Sequence, residues 1–198
     1  MARKSTRDMI IDVAAGLFAT VGLRRTTMET IASAAGRGRR TIYMYFSNKA
    51  EIYDSVVERE IRQITEPLLD LVSSAKVFET VLQRYGDIRV SQLNALLHRN
   101  PLLLKDFSQG HSRVERLRER LNRDEMKILA PFFRKYISRK EYPVRPSPEE
   151  YAAIFLNLLR GSDRLLTKKD GLNEAIRISS ISADLFLRGV SGLREEKA

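Results

Sequence analysis

The chain has 198 residues, enough for one domain or two small ones with a sizeable buried core. It holds no cysteine and only two histidines, His98 and His111, which excludes disulfides, a thiol nucleophile, CxxC-type zinc sites and a His-rich metal cage. Lys and Arg outnumber Asp and Glu by 35 to 25, a net charge of +10 that suits phosphate polymers, anionic membranes or acidic partners.

No run approaches the roughly 18–20 apolar residues of a membrane span, so a soluble, cytoplasmic protein without a membrane partner is expected. The sequence lacks GxxxxGK, GxGxxG, HExxH and GxSxG, so neither an enzyme nor a cofactor is expected. The positive charge is concentrated at the start: residues 1–50 carry nine Lys or Arg against three Asp or Glu.

Apolar residues recur at spacings of three and four, without Val/Ile/Thr-rich alternation, which predicts an all-α fold. A first helix is predicted over about Thr6 to Thr20, with Ile10, Ala14, Leu17 and Phe18 on one stripe and Gly22 as its stop. A second starts at Thr26 or Thr27, where Thr26-x-x-Glu29 fits a capping box. Gly36 turns the chain into a short helix over Gly38 to Tyr45, and a fourth helix starts near Asn48 and is expected to break or kink at Pro67.

Val77 to Arg99 forms another long run, ended by Pro101. The charged stretch from Arg113 to Glu125 reads as a solvated helix face leading to Tyr136, with a kink or break at Pro131. A proline-rich loop over Tyr142 to Pro148 precedes a helix opened by Glu149 and Glu150. Arg194 to Ala198 is expected to fray.

Residues 26–46 supply a supporting helix, a glycine turn and a short second helix, the parts of a helix-turn-helix reader of double-stranded DNA. Arg39 and Arg40 lie in the first turn of the short helix, where a guanidinium can bond O6 and N7 of guanine, and Arg37 lies just before it. Thr41, Tyr43, Tyr45 and Lys49 cannot all share the core face and suit phosphate oxygens; the N–H groups opening the fourth helix offer another phosphate site. Tyr43 is alternatively core, as Ile42 and Phe46 are read to be. Arg3 and Lys4 are either a minor-groove arm or a solubilising tail.

Leu17-Phe18-Ala19, Gly22, Thr26-Thr27, Ile31-Ala32, Ala35-Gly36, Thr41-Ile42-Tyr43, Phe46 and Lys49 together resemble the DNA-binding domain of the TetR family of bacterial transcription regulators, over roughly residues 7–53. The resemblance implies a homodimer whose recognition helices enter successive major grooves of a palindromic operator. It further implies Thr41 and Tyr43 at backbone or base-edge contacts, and Thr27, Tyr45 and Lys49 at phosphate-binding positions. Arg37, Gly38 and Arg40 depart from the family's usual aliphatic residue, capping serine and glycine. The candidate DNA-binding set is Thr26, Thr27, Arg37, Gly38, Arg39, Arg40, Thr41, Tyr43, Tyr45 and Lys49.

The expected organisation is a helix-turn-helix domain over residues 1–50 and a helical-bundle domain for effector binding and dimerisation over residues 51–198. In the latter, Phe78, Leu82, Tyr85, Gln92, Phe132, Phe133 and Tyr136 are candidates for lining a cavity for a small-molecule effector, or are plain core. Gln92 and the two histidines are its candidate polar groups, with His98 alternatively an exposed helix end.

Tyr151, Phe155, Leu158 and Leu159, with Ala175, Ser179, Ser182, Ala183 and Phe186, are candidates for half of a four-helix dimer interface, or for two buried helices of a monomer. In the last helix the small residues suit close helix approach, and Ile178, Ile181 and Leu185 suit core packing. The functional expectation is a repressor released from its operator by a small effector. An effector-independent DNA-binding or interaction protein, and an all-helical enzyme for a phosphorylated substrate, are the alternatives.

Overall fold

In the computed structural model, residues 5–109, 112–136 and 146–192 are described; among them are nine α-helices, one 3-10 turn and no strand. His111, Arg3, Lys4, residues 142–145 of the expected proline-rich loop and residues 194–198 lie outside the described residues.

Helix α1 (Thr6–Thr20) is opened by the Ser5 hydroxyl, which accepts from the Asp8 N–H. It buries Ile10, Ala14 and Phe18, and Gly22, at φ +93°, turns the chain away from it. Helix α2 (Met28–Ala34) is capped one residue later than expected. The Thr27 side chain accepts from the Thr30 N–H, and Thr30 reciprocates on the Thr27 N–H. Thr26 is excluded from the cap because it is buried in the preceding turn, where its hydroxyl donates to the Gly22 carbonyl at 2.9 Å. Gly36, at φ +59°, makes the sharp turn into α3 (Arg39–Tyr45). Ile10, Ile31, Ile42, Phe46 and Ile52 pack into one small core beneath these helices.

Helix α4 (Lys49–Ser74) belongs to both parts of the molecule. Its Ile52 and Val56 join the N-terminal core, and from Ile61 onward it joins the larger one, so the expected domain boundary at residue 50 meets the first turn of a shared helix. At 1.5 Å per residue its 26 residues span about 39 Å. Neither proline ends its helix: Pro67 lies inside α4, and Pro131 inside α7 (Ser112–Tyr136). The carbonyls that lose their partners belong to Gln63 and Lys127, both exposed, so water can serve them while packing between α4 and α7 holds the helices.

Helix α5 (Phe78–Arg99) runs through the larger core against α4 and α9 (Gly171–Gly192). Helix α6 (Pro101–Gln109) leads back towards α1, and α8 (Pro148–Arg160) lies between α7 and α9. Ser147 and Glu150 form the capping box of α8. Helices α5 and α9 meet at Gly86, where a Cβ would collide with the Ser179 hydroxyl and press on Leu159.

One buried polar cluster interrupts this apolar interior. Arg89, fully enclosed, donates through Nε to Glu125 Oε1 at 2.9 Å and through its two terminal nitrogens to both oxygens of Asp163, at 2.6 and 3.2 Å. Glu125 is therefore no part of a solvated face, because Arg89 draws its carboxylate inward from the end of the charged stretch. Burial pushes the Glu125 carboxyl above its ordinary pKa, against the pull of Arg89. Burial also pushes the Tyr85 phenol up, with Glu125 adding to the effect. Burial alone would lower Arg89, but its two carboxylates outweigh it and keep the guanidinium charged.

Candidate nucleic-acid interface

Helix α3 is fixed from one side only. Ile42 and Phe46 are buried in the N-terminal core, and the remaining side chains project outward. Arg37, Arg40, Thr41 and Met44 recur at intervals that place them on one face of the turn and helix, with Tyr45 beside them. Met44 is 75% exposed, the most open of the large apolar side chains described, and Tyr43 and Tyr45 stand about two-fifths exposed. Tyr43 is therefore not core.

The arginines differ in how they are held. Arg39 reaches back to α2, placing Nη2 3.1 Å from Glu29 Oε1 and its guanidinium 5.5 Å from the centre of the Tyr43 ring. Hydrogen bonding to Tyr43 and the charge of Glu29 raise its already high pKa. Glu29 is lowered by its own backbone N–H, by the Thr27 hydroxyl and by Arg39. Arg37 and Arg40 are exposed and have no ion pair among the described residues. Gly38 supplies the N-cap position of α3 without a side chain, which lets a second backbone approach closely there.

Other predicted contact residues have structural partners. Thr26 is buried, and the exposed Thr27 uses its hydroxyl as the cap of α2. The Lys49 ammonium is turned inward: Nζ lies 2.7 Å from the Leu23 carbonyl, 2.7 Å from that of Thr26 and 3.5 Å from that of Arg24. It pins the loop between α1 and α2 to the start of α4. The expected phosphate site at that helix start is internally occupied too. Asn48 accepts from the Glu51 N–H at 3.0 Å, and the Ser47 N–H donates to Glu51 Oε2 at 2.7 Å.

Among the described residues, the predicted effector residues of α5 and α7 pack largely on one another. Phe78 stacks on Phe132 with centroids 5.2 Å apart, and Phe133 and Tyr136 close the group edge-on and tilted. Leu82 and Tyr85 are fully buried, Gln92 is half-buried and His98 is exposed at the end of α5. Space lies elsewhere.

A cavity of about 50 Å³ sits between α1 and the larger core, touching Phe18, Tyr53, Leu96, Leu103 and Leu117. A smaller one of about 20 Å³ adjoins Arg89, Leu93, Leu96, Phe107, Leu117 and Arg160. A vestibule of about 390 Å³ opens beside Arg118, Arg160, Asp163 and Arg164. Sequence reasoning missed these arginines and the Arg89 cluster. The available signal was Arg89 itself, a cation in register with the apolar residues Tyr85 and Leu93 of α5.

The predicted dimer helices are present with their faces exchanged. Tyr151, Phe155, Leu159, Ala175, Ser179, Ala183 and Phe186 are buried within the chain, and Ser182 is half-buried. The small residues of α9 permit close approach to α5 at Gly86, within one molecule. Only Leu158 of the predicted set faces out. It does so with Ile154 on α8 and with Ile181 and Leu185 on α9, each between 42% and 64% exposed.

Residues 10–56 match the family model described as bacterial regulatory proteins, tetR family. The chain is 38% identical over 82 residues to the HTH-type transcriptional regulator AcrR of Shigella flexneri, covering 38% of this chain and 37% of that one. It is 29% identical over 94 residues to the HTH-type transcriptional repressor KstR2 of Mycobacterium tuberculosis, covering 48% and 46% respectively. These matches thus span less than half of either relative. The fold matches a transcriptional regulator from Cytophaga hutchinsonii with a TM-score of 0.68 at 24% identity, over 92% of this chain and 96% of the other. Over residues 10–56, its first helices and the turn between them, the chain is similar to the TetR family of bacterial regulatory proteins.

Proposed function

We propose that this chain is a sequence-specific DNA-binding transcriptional regulator that acts as a homodimer and represses until a small effector releases it. The observation that carries the reading is the outward face of α3. Arg40, Thr41, Met44 and Tyr45, with Arg37 in the turn before them, project from a short helix whose other side, at Ile42 and Phe46, is anchored in a core. A rigid stub with exposed guanidinium, hydroxyl and apolar groups suits base edges in a major groove, and the basic N-terminal segment suits the flanking phosphates.

The dimer reading is supported by Ile154, Leu158, Ile181 and Leu185. Two helices of one chain present these four large apolar side chains to water, a patch suited to a two-fold partner. Repression and effector release are supported by the cavity at α1, which borders the reader at Phe18 and Leu23, and by the vestibule at Arg160 in the larger core.

Selection of bound sequences from a random DNA pool tests the reading. The expected product is a palindrome with half-sites about one turn, ~34–36 Å, apart. Recovery of no motif, or of a single unrepeated half-site by a monomer, overturns it.

A further inference from the structure

The vestibule has a chemical preference that can be read from its charges. Arg160, at the end of α8, is half-buried and borders both the vestibule and the inner cavity. Its hydrogen-bond partners are two neutral amide oxygens, those of Asn122 and of Asn157, the latter at 3.3 Å, and it has no carboxylate partner among the described residues. The acids nearby are engaged elsewhere. Asp163 gives both oxygens to Arg89, Glu115 holds Arg118 at 2.7 Å, and Glu125 is behind Arg89. The lining carries three arginines and three carboxylates, so the preference lies in their pairing: Arg160 and Arg164 are the two of its arginines without an ion pair among the described residues.

Arg160 is held in a strained electrostatic position. Burial disfavours its charged form, and the Arg89 and Arg118 guanidiniums add repulsion that Glu125 and Asp163 only partly offset. A guanidinium partly removed from water, beside other cations and with no carboxylate hydrogen-bonded to it, gains strongly from a bidentate anion.

Inward from it the lining turns apolar. Leu93, Leu96, Phe107 and Leu117 line the inner cavity, and Leu96 and Leu117 continue into the cavity beneath α1. Arg118 lies over the Phe107 ring at 4.3 Å and lines both the vestibule and the inner cavity, so it marks the border between them.

We propose that this vestibule is the head-group site for the effector and takes a carboxylate carried on an apolar chain. The carboxylate bridges Arg160 and Arg164, and the chain points along Leu93, Leu96 and Leu117 towards α1. The inference names the ligand class for the effector site of the proposed function, and its test is read without DNA, so the two stand or fall separately.

Sodium octanoate, octan-1-ol and octyltrimethylammonium are titrated, below their aggregation limits, into the full chain by calorimetry and thermal shift. Octanoate is expected to bind about tenfold or more tightly than octanol, and the ammonium to show no saturable binding. Arg160→Gln is expected to weaken octanoate about tenfold and leave octanol unchanged. Arg160→Lys retains part of the preference, and Arg177→Gln, on an exposed stretch of α9, changes nothing. Equal binding of octanol, preference for the ammonium, indifference to Arg160→Gln in a folded variant, or no octanoate binding each overturns the proposal. The comparison among the three probes on the unaltered chain decides it even if the variants do not fold.

Discussion

Lys49 separates a structural lysine from a DNA-contacting one, and Lys49→Met tests which it is. The substitution keeps the length of the apolar stem and removes the ammonium from two carbonyls at 2.7 Å and a third at 3.5 Å. A hydrogen bond to a charged group contributes about 1.5–3 kcal/mol. Because Lys49 is only half-buried and water can reach part of the freed carbonyls, the loss is set at about 1.5–3 kcal/mol for the whole arrangement rather than for each bond. For a chain of this size that lowers the melting temperature by roughly 3–12 °C.

Thermal unfolding by circular dichroism supplies the first measurement, and the salt dependence of DNA affinity the second. A lysine neutralising a phosphate would leave stability unchanged and reduce the slope of log K against log salt by about 0.9 per subunit bound. The geometry predicts the reverse: a clear drop in melting temperature and an unchanged slope. An unaltered melting temperature with a reduced slope would refute the structural assignment.

Four other outcomes are expected. Glu125 faces Arg89 and Tyr85 from α5, Asp163 from the 3-10 turn and Arg160 from α8. Its raised pKa makes the folded state hold the proton more firmly than the unfolded one, so its contribution is full below about 4.5 and is lost as pH rises through the folded value. The melting temperature of Glu125→Gln minus that of the unaltered chain should therefore climb as pH rises, and a flat difference would contradict this. Gly86→Ala should destabilise by about 1–3 kcal/mol in urea titration, and Ser179→Ala in the same chain should recover part of it; an additive loss would mean the two do not meet. Arg40→Ala should weaken specific DNA binding by about 1–3 kcal/mol and random DNA much less, while equal losses would make Arg40 a phosphate contact. Leu185→Glu should give a monomer by light scattering at an almost unchanged melting temperature, since that side chain is 64% exposed; a persistent dimer would place the interface elsewhere.

The reader was legible because its determinants are local. Gly22 and Gly36 mark turns that need positive φ, and Ile10, Ile31, Ile42 and Phe46 follow the helical period. The capping error was local too. Thr26-x-x-Glu29 and Thr27-x-x-Thr30 overlap by one residue, and burial of Thr26 in the Gly22 turn decides between them. What escaped involves partners far apart in the chain. Lys49 finds carbonyls 23 to 26 residues away, and Arg89 finds acids 36 and 74 residues away. Helix α9 is apolar on one side and small on the other, and either side can be buried by periodicity alone. Gly86 settles the matter, because a missing side chain on α5 admits only a helix presenting Ser179 there.

The same long-range packing gives the proposed effector a mechanical route to the reader. Leu96 and Leu117 line both the inner cavity and the one under α1, while Phe18 and Tyr53 close the latter from the N-terminal side. Both cavities are smaller than an alkyl chain of eight carbons, so an occupant must push α6 or α7 outward, and α6 rests on α1. Helix α4 carries any resulting tilt: over its length of about 39 Å, a rotation of 3° displaces the far end by about 2 Å. In the proposed dimer, two-fold pairing would apply that displacement to both readers, against a groove spacing of ~34–36 Å that DNA holds fixed. Full inversion from 99:1 to 1:99 would need about 5.5 kcal/mol of differential affinity, whereas tenfold weaker operator binding needs about 1.4 kcal/mol. A single well-formed guanidinium–carboxylate contact, made in one arrangement of the helices and not in the other, is large enough for the second requirement and too small alone for the first. The apolar chain, gaining about 0.8 kcal/mol for each methylene it buries, must therefore supply the rest.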